Sequence, residues 1–338
     1  MRIAALGRTH WLYESILAVL SEGHEVVFIA TAPEAPEYRV TARDFEELAN
    51  RIGCPSINAT NLNRDDLVSQ MKATGADVAI SVNWPTVIGK AAREAFRHGI
   101  VNAHAGDLPR FRGNACPNWA ILSGEDKVVL TLHQMGAGID DGPILFKTPF
   151  PLTPMTYIGD VYNFLTHEIP NAYKLVLAGL ETGAIVPVVQ ASDASESLRC
   201  FPRLPIDGEI DWQAPAEAIA RLVRATAEPF AGAYTYFEGK KLIVWRAYPE
   251  ELGYPSLGIP GQVVGTDRGS GAVSVLTGSG VLVIERVESE NRKAEPASII
   301  RSTRSRLGGQ WPARLMELER RLRMLEIKLE SNISDRQP

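Results

Sequence analysis

The sequence has few cysteines and no long apolar run. Its three cysteines, Cys54, Cys116 and Cys200, are odd in number and lie far apart in 338 residues. This excludes a disulfide scaffold and a zinc ribbon, and it suits a reducing compartment. No segment approaches the roughly 20 apolar residues that a membrane span needs, and the N-terminal MRIAALG lacks the parts of a signal peptide. We therefore expect a cytoplasmic protein without a membrane partner.

A dominant charge of one sign is also missing. Residues 1–200 hold 16 basic and 22 acidic side chains, residues 201–338 hold 19 and 18, and the formal net charge is −5. Neither half has the positive field with which proteins follow a nucleic-acid backbone. Hydrophobic residues make up 45% of the chain, which is enough for a sizeable core and excludes wholesale disorder.

The first half of the chain alternates short apolar runs with segments of helical spacing. Strand-like runs occur at 2–6, 25–30, 77–82, 100–103, 128–134 and 144–147, and helical spacing occurs at 11–21, 44–52, 87–97 and 157–177. Strands that alternate with helices predict an α/β fold with a doubly wound, mostly parallel sheet. Ligands of such sheets bind at the carboxyl ends of the strands. We place this domain at residues 1–190.

The pattern changes in the second half. Residues 191–203 are polar and predict a linker. A helix at 215–227 is then followed by short strand-like runs at 233–237, 241–248, 262–265, 273–276 and 281–287. Such regularly spaced short strands predict a small antiparallel barrel, which we place at residues 204–297.

A stripe of leucines lies near the end of the chain. Leu315, Leu318, Leu322, Leu325 and Leu329 repeat at spacings of three and four residues. This predicts a helical tail over residues 311–331 that pairs with a second copy as a short coiled coil, giving a homodimer. Two heptads fit equally well a terminal helix that packs on its own domain.

Chemistry-bearing residues concentrate between residues 102 and 144. Asn102 and His104 end a strand-like run and share one face, because side chains alternate along a strand. Asp140 lies in the loop sequence GAGIDDG, which can bring its carboxylate to the imidazole. An imidazole can move protons near neutrality, a carboxylate fixes its tautomer, and an amide can donate to a developing oxyanion. No Ser or Cys stands where a nucleophile would be needed, so we predict direct attack by a substrate nucleophile on a bound acyl donor.

These residues belong to a longer pattern. After Asn102 and His104 come Leu108-Pro109-Arg110-Phe111-Arg112-Gly113 and then Asp140-Asp141-Gly142. The pattern resembles the N-x-H, L-P-x-[FYW]-R-G and D-x-G signature of the formyltransferases that use 10-formyltetrahydrofolate. The segments RLPIDGEIDW (203–212) and EPFAGAYT (228–235) are similar to the C-terminal barrel of that family. The resemblance therefore covers about residues 1–290 and leaves the leucine stripe outside it.

The resemblance implies a Rossmann-like formyltransferase domain and a one-carbon transferase that needs no metal. It implies that Asn102, His104 and Asp140 are catalytic, with Asp140 preferred to Asp141 by the D-x-G spacing. The substrate amine attacks the N10-formyl carbonyl to give a tetrahedral intermediate. Asn102 and protonated His104 stabilise its oxyanion, and Asp140 orients His104 and helps to relay a proton.

Contacts with the donor and the acceptor can also be assigned. Positions that match the folate site of the family are Asn83, Trp84, Ile88, Leu108, Ala137, Gly138, Ile139 and Asp141. For phosphate contacts we predict Arg8, His10, Arg110 and Arg112, because guanidinium groups and helix N-termini suit diphosphates. The alternative for Arg110 and Arg112 is local ion pairing that holds the loop. We expect His133 to be a satisfied core or pocket histidine.

Our first prediction for the acceptor is an amino sugar attached to a nucleotide. Family members that formylate methionyl-tRNA carry a basic insertion after the second strand, whereas residues 31–40 here read TAPEAPEYRV. The near-neutral second half also favours a small acceptor over nucleic acid. Methionyl-tRNA formyltransferase is the first alternative, and a catalytically silent protein that binds folate and nucleotide sugar is the second.

One position departs from the family pattern. The family usually has Ser-Leu-Leu-Pro after the histidine, and this chain has Gly106-Asp107-Leu108-Pro109. Asp107 could contact the substrate amine or could be a turn residue without a chemical role. We prefer the turn role.

Overall fold

The computed structural model describes residues 1–34, 39–191, 194–254, 257–308, 315 and 318–325. The chain falls into two compact units. Unit 1 consists of Met1–Leu204 with Glu228–Phe230, and unit 2 consists of Pro205–Ala227 with Ala231–Pro338. None of the helices in the described ranges is long and apolar enough to cross a membrane.

Unit 1 is built on a seven-stranded sheet. Its strands, together with a separate two-stranded pair formed by β6 and β9, are β1 (Arg2–Gly7), β2 (Glu25–Thr31), β3 (Ser56–Asn58), β4 (Val78–Val82), β5 (Ile100–His104), β6 (Arg112–Gly113), β7 (Lys127–Gln134), β8 (Ile144–Pro151) and β9 (Arg199–Cys200). Its helices are α1 (His10–Ser21), α2 (Ala42–Ile52), α3 (Asp65–Ala73), α4 (Lys90–Arg93), α5 (Cys116–Ser123) and α6 (Ile158–Thr182).

The order of this sheet is β3-β2-β1-β4-β5-β7-β8. The five strands from β3 to β5 run parallel, whereas β7 is antiparallel to both β5 and β8. The central strand β4 is buried along its whole length, as expected for a sheet with both faces covered. The predicted α/β class with a mostly parallel sheet is confirmed.

Two elements of unit 1 differ from the prediction. The helical spacing at 87–97 gives only the short α4. Before α4, the side chain of Asn63 bonds to the Val87 carbonyl and the Gly89 amide and holds residues 87–89 as a loop. After it, turn bonds from Ala95 N to the Ala92 carbonyl and from Gly99 N to the Phe96 carbonyl replace the helix. The strand β3 and the helix α3 were not predicted. β3 has only three residues, none of them fully buried, and α3 is a nine-residue helix whose apolar face consists only of Leu67, Val68 and Met71, so both signals are short.

The polar segment 191–203 differs from a free linker in its described part. The strand β9 pairs with β6, and Asn114 N donates to the Cys200 carbonyl at 3.2 Å. The indole N–H of Trp119 donates to the Phe201 carbonyl at 2.8 Å. Backbone hydrogen bonds, which composition does not encode, tie this segment to unit 1.

Unit 2 contains an antiparallel sheet and a helix. Its strands are β10 (Ala233–Phe237), β11 (Lys240–Glu250), β12 (Val263–Thr266), β13 (Val273–Leu276), β14 (Val281–Ser289) and β15 (Arg292–Ala294), and its helices are α7 (Ala216–Thr226) and α8 (Pro296–Ile299). The order is β10-β11-β14-β13-β12, with β15 also on β14. The predicted antiparallel pairing of short strands is confirmed.

Most of the predicted tail lies outside the described residues. Leu315, Leu318, Leu322 and Leu325 are described, and they are 45% to 59% exposed. Leu329 and the rest of the segment 326–331 lie outside the described residues. Self-association through the leucine stripe therefore stays a prediction.

Candidate active site

A cavity of about 390 Å³ lies where β4 and β5 end. Its apolar walls include Trp84, Ile88, Met135, Ile139 and Leu165. Its polar lining includes Asn102, His104, His133 and Asp140. Converging polar groups beside apolar walls in a cavity of this size are typical of a small-molecule site.

The register of β5 against β7 builds one side of the site. Asn102 lies opposite His133, and the amide Nδ2 of Asn102 donates to His133 Nε2 at 3.3 Å. His133 Nδ1–H donates to the Gln134 carbonyl at 2.9 Å, which leaves Nε2 as the acceptor. An amide nitrogen has two hydrogens, so the second N–H of Asn102 is available to a ligand in the cavity.

His104, two residues along β5, is buried, and its ring is 8% exposed. Its Nε2–H donates to the Phe111 carbonyl at 2.6 Å. A side chain at position 106 would collide with this ring, so Gly106 is required there. Burial lowers the pKa of His104, and this effect outweighs the opposing effect of Asp140. The lowered pKa favours the neutral form of this imidazole.

Asp140 lies between the two imidazoles. Its Oδ2 is 3.6 Å from His104 Nδ1, and its Oδ1 is 3.5 Å from His133 Nε2. Oδ2 also accepts a hydrogen bond from Gly113 N at 2.8 Å. Burial opposes ionisation of this carboxyl, but the imidazoles and the Gly113 N–H outweigh burial and lower its pKa to about 2. Asp140 is thus a carboxylate throughout the neutral range.

The neighbouring Asp141 organises the loop that presents Asp140. Its Oδ2 accepts from Gly138 N at 2.8 Å, and its Oδ1 is buried. A side chain at Gly136 or Gly138 would collide with this carboxylate. Asp141 therefore faces the inside of its own loop, which differs from the predicted folate contact because the loop closes around it.

The other predicted folate positions divide into two groups. Lining the cavity are Asn83, Trp84, Ile88, Ala137, Gly138 and Ile139. Leu108 does not line it and is buried, with 1% exposure. An aromatic ring, apolar walls and loop backbone around this volume fit a flat pterin ring. Among the described residues no cluster of His, Cys, Asp or Glu could hold a metal ion.

The four predicted phosphate contacts do not line this cavity. Arg8 donates to the Pro33 carbonyl at 3.0 Å, and His10 Nε2 is 3.2 Å from Thr166 Oγ1. Arg110 pairs with Glu125 at 2.7 Å, and Arg112 donates to the Gln190 side chain at 2.6 Å. For Arg110 and Arg112 the structure thus shows the alternative of local bonds that hold the loop.

Asp107 also has a partner. Its Oδ1 is 2.6 Å from Lys147 Nζ, which donates as well to the Leu108 carbonyl. This ion pair fixes the turn after His104, as the preferred interpretation expects.

The comparisons with known proteins define the class of this chain. Residues 1–177 match the family described as "Formyl transferase", and residues 205–304 match "Formyl transferase, C-terminal domain". The chain belongs to the formyl transferase family. It is a one-carbon transferase, and the formyl donor of this family is 10-formyltetrahydrofolate. The family, enzyme class and donor that the sequence predicts are confirmed.

The names of individual relatives and solved structures mention different acceptors. The methionyl-tRNA formyltransferase of Trichlorobacter lovleyi is 30% identical over 305 residues, covering 88% of this chain and 93% of the relative. The structure of an N-formyltransferase from Helicobacter canadensis with folinic acid and dTDP-3-aminofucose has a TM-score of 0.60 at 14% identity, covering 85% and 99%. HypX from Aquifex aeolicus with tetrahydrofolic acid has a TM-score of 0.58 at 20% identity, covering 89% of this chain and 47% of HypX.

His133 is a buried histidine that lines the cavity, in agreement with the expected core or pocket histidine. Its contacts with both Asn102 and Asp140 were not predicted from the sequence. The available signal was its place near the end of a strand-like run, but the register that sets it opposite Asn102 depends on strand pairing.

Proposed function

We propose that this site transfers a formyl group from 10-formyltetrahydrofolate to a primary amine by direct attack. The proposal rests on one observation, an ionised Asp140 held between His104 and His133 beside the Asn102 amide in a ligand-sized cavity. The bound donor supplies a formyl carbon on nitrogen. The remaining steps are performed by the side chains of the chain itself.

Asn102 and His104 have separate roles in this proposal. The unused N–H of Asn102 donates to the formyl oxygen as that oxygen gains negative charge. The resemblance implies a protonated His104, but the lowered pKa makes the neutral ring the resting state. Neutral His104 takes the proton of the attacking amine at Nδ1 and passes it to the nitrogen that gives up the formyl group.

Asp140 stabilises the charged ring that this transfer creates. Its Oδ2 lies 3.6 Å from His104 Nδ1, so protonation places an N–H opposite a carboxylate. His133 Nε2 accepts from the Asn102 amide at 3.3 Å and lies 3.5 Å from Asp140 Oδ1. In this proposal Asn102 stabilises the oxyanion, His104 moves the proton and Asp140 stabilises the transient positive charge.

Methionyl-tRNA is the first candidate acceptor. The observation that favours it is the full-length likeness to methionyl-tRNA formyltransferases, at 30% identity over 88% of this chain. The prediction of a nucleotide-linked amino sugar has weaker support from relatives. We therefore rank tRNA before the sugar.

A nucleotide-linked amino sugar is the second candidate, on two observations. The second half of the chain has almost no net charge, and tRNA binding depends on an excess of basic residues. The segment after β2 is short and acidic, and Glu34 accepts from Ala42 N at 3.2 Å. Residues 35–38 of this segment lie outside the described residues.

A direct competition between acceptors tests the proposal. The protein is incubated with 10-formyltetrahydrofolate and either methionyl-initiator tRNA or a panel of UDP-, GDP- and dTDP-amino sugars, and products are identified by mass spectrometry. We expect formylation of one class only, with none by Asp140→Asn. If neither acceptor class is formylated and the donor stays unconsumed even at high protein concentration, both candidates are contradicted.

A further inference from the structure

Gln190 contacts three residues of the catalytic signature without belonging to it. Its side-chain NH₂ donates to the carbonyl oxygens of Asp140 at 2.8 Å and Gly142 at 2.7 Å. Its side-chain oxygen accepts from Arg112 Nη2 at 2.6 Å. The residue is only 8% exposed. Both N–H groups and the oxygen of this amide are therefore used on the loops that form the site.

The loop under Gln190 has a backbone that needs support. Asp140 has φ of +51°, in the left-handed region that residues with a side chain rarely adopt. The carbonyls of Asp140 and Gly142 both point at the one amide of Gln190. A loop that relaxed out of this conformation would leave both buried N–H groups of Gln190 without an acceptor.

The same network reaches the carboxylate of Asp140 from the other side. Arg112 and Gly113 form β6, which pairs with β9. The Arg112 side chain bonds to Gln190, and Gly113 N donates to Asp140 Oδ2 at 2.8 Å. Gln190 thus bonds to the backbone of Asp140, and Gly113 bonds to its carboxylate. Arg112, which precedes Gly113, bonds to Gln190 and connects the two contacts.

We propose that Gln190 is a positioning residue that keeps the Asp140 carboxylate between His104 and His133. It acts through Asp140 and need not touch either substrate. Gln190 follows α6 as the last residue of the domain predicted at 1–190, directly before the predicted linker at 191–203, and on this account it is part of the active site. The inference rests on the proposed catalytic role of Asp140.

Two substitutions separate the parts of this contact. Gln190→Met removes all three hydrogen bonds and keeps a side chain of similar size. Gln190→Glu keeps an oxygen for Arg112, and so forms an ion pair that supports folding, but it replaces the donor by a carboxylate oxygen facing two carbonyls. The matched control is Gln262→Met, the same change at a half-buried residue of unit 2.

We expect both Gln190 variants to lower kcat about 10- to 100-fold, because displacement of a catalytic group by about 1 Å has effects of this order. The KM values for donor and acceptor should change less than about threefold, because the walls of the cavity are untouched. Gln262→Met should keep the kcat of the unmodified protein. Thermal melting of each variant identifies any that fail to fold.

A second readout does not depend on activity. The Asp140 carboxylate raises the pKa of His104 against the effect of burial, so displacing the carboxylate lowers that pKa further. In ¹⁵N-histidine NMR titrations the His104 midpoint should move to lower pH in Gln190→Met, which adds no charge, and Asp140→Asn should shift it in the same direction. Gln262→Met should leave it unchanged.

The outcomes are distinct. An unchanged kcat in folded Gln190→Glu, or a lowered kcat with the His104 midpoint unmoved, would overturn the positioning role. If Asp140→Asn retains full activity, the proposed function fails, and the titration alone then decides whether Gln190 positions Asp140. A midpoint shifted to lower pH in Gln190→Met, with a lowered kcat in both Gln190 variants, supports the inference.

Discussion

Buried polar groups in the two units differ in whether their hydrogen bonds are made. In unit 2 the buried hydroxyls are satisfied locally: Thr226 bonds to the Leu222 carbonyl at 2.7 Å, Thr235 accepts from Trp212 at 2.9 Å, and Thr277 bonds to Ser279 and Gly280. In unit 1 the contacts of Asp140 with His104 and His133 are 3.6 and 3.5 Å, longer than a hydrogen bond.

This difference separates groups that stabilise the fold from groups that await a ligand. A buried polar group costs free energy unless its bonds are made, and the buried threonines of unit 2 make them. The cluster of unit 1 keeps an unused N–H on Asn102 and a proton-free nitrogen on His104. Substitutions in the cluster should therefore affect turnover more than stability, and core substitutions in unit 2 should do the opposite.

The largest expected effect is that of Asp140→Asn. It removes the negative charge beside His104 while keeping the shape of the side chain, and we expect kcat to fall about 10²- to 10⁴-fold. The melting temperature should also fall, because a pKa lowered to about 2 means that the ionised carboxylate stabilises the folded state at neutral pH. Steady-state formyl transfer and calorimetry check both parts, and a kcat within about threefold of the original would remove Asp140 from the mechanism.

Asn102→Ala comes next. Loss of one preorganised donor to a developing oxyanion typically lowers kcat about 10²- to 10³-fold. Because the amide also donates to His133 at 3.3 Å, Asn102→Ser, which keeps a donor, is the matched comparison. Recovery by Asn102→Ser of part of the lost kcat is expected, and equal losses in both variants would speak against an oxyanion role.

A smaller effect is expected in the pH dependence of activity, and its direction follows from the pKa of His104. The base in the proposed mechanism is neutral His104, and burial lowers its pKa below the ordinary 6.5. Activity should therefore be level at neutral pH and fall only as the pH decreases through this lowered pKa, so the acid limb lies below pH 6.5. A limb above that value in kcat, measured with saturating acceptor, would contradict a neutral resting His104.

The smallest effect on turnover is expected in unit 2. Leu282 is fully buried in β14, and Leu282→Ala should lower the free energy of unfolding by about 2–5 kcal/mol. The kcat of the folded fraction should change less than about twofold, because no group of the cluster is touched. Denaturant unfolding and transfer assays test this, and a large kcat loss in a fully folded variant would break the contrast between the units.

Local sequence was enough for much of the fold and for the centre of the site. The apolar run of β4 and the alternation at Asn102 and His104 act within a few residues, and each gave the element or face that the structure shows. The pairing of β5 with β7 sets His133 opposite Asn102, and the return of Gln190 to the Asp140 loop spans 50 residues. Contacts of this kind depend on tertiary register, which residue spacing does not encode.

The predicted phosphate contacts show the same limit of prediction from sequence. Arg110 and Arg112 are suitable residue types at a loop beside the site, yet they bond to Glu125 and Gln190. A guanidinium group that suits a phosphate suits a carboxylate or an amide oxygen equally well. Which partner it meets is decided by the packing around it.

The most direct test of the central claim is a single-turnover transfer from donor carrying a ¹³C-formyl group, with protein in excess and the acceptor found in the competition. The labelled carbon should appear on the acceptor nitrogen without a labelled intermediate on the protein, and Asp140→Asn and His104→Ala should each slow its appearance at least about 100-fold. Label bound covalently to the protein, or transfer at the original rate by either variant, would contradict the account.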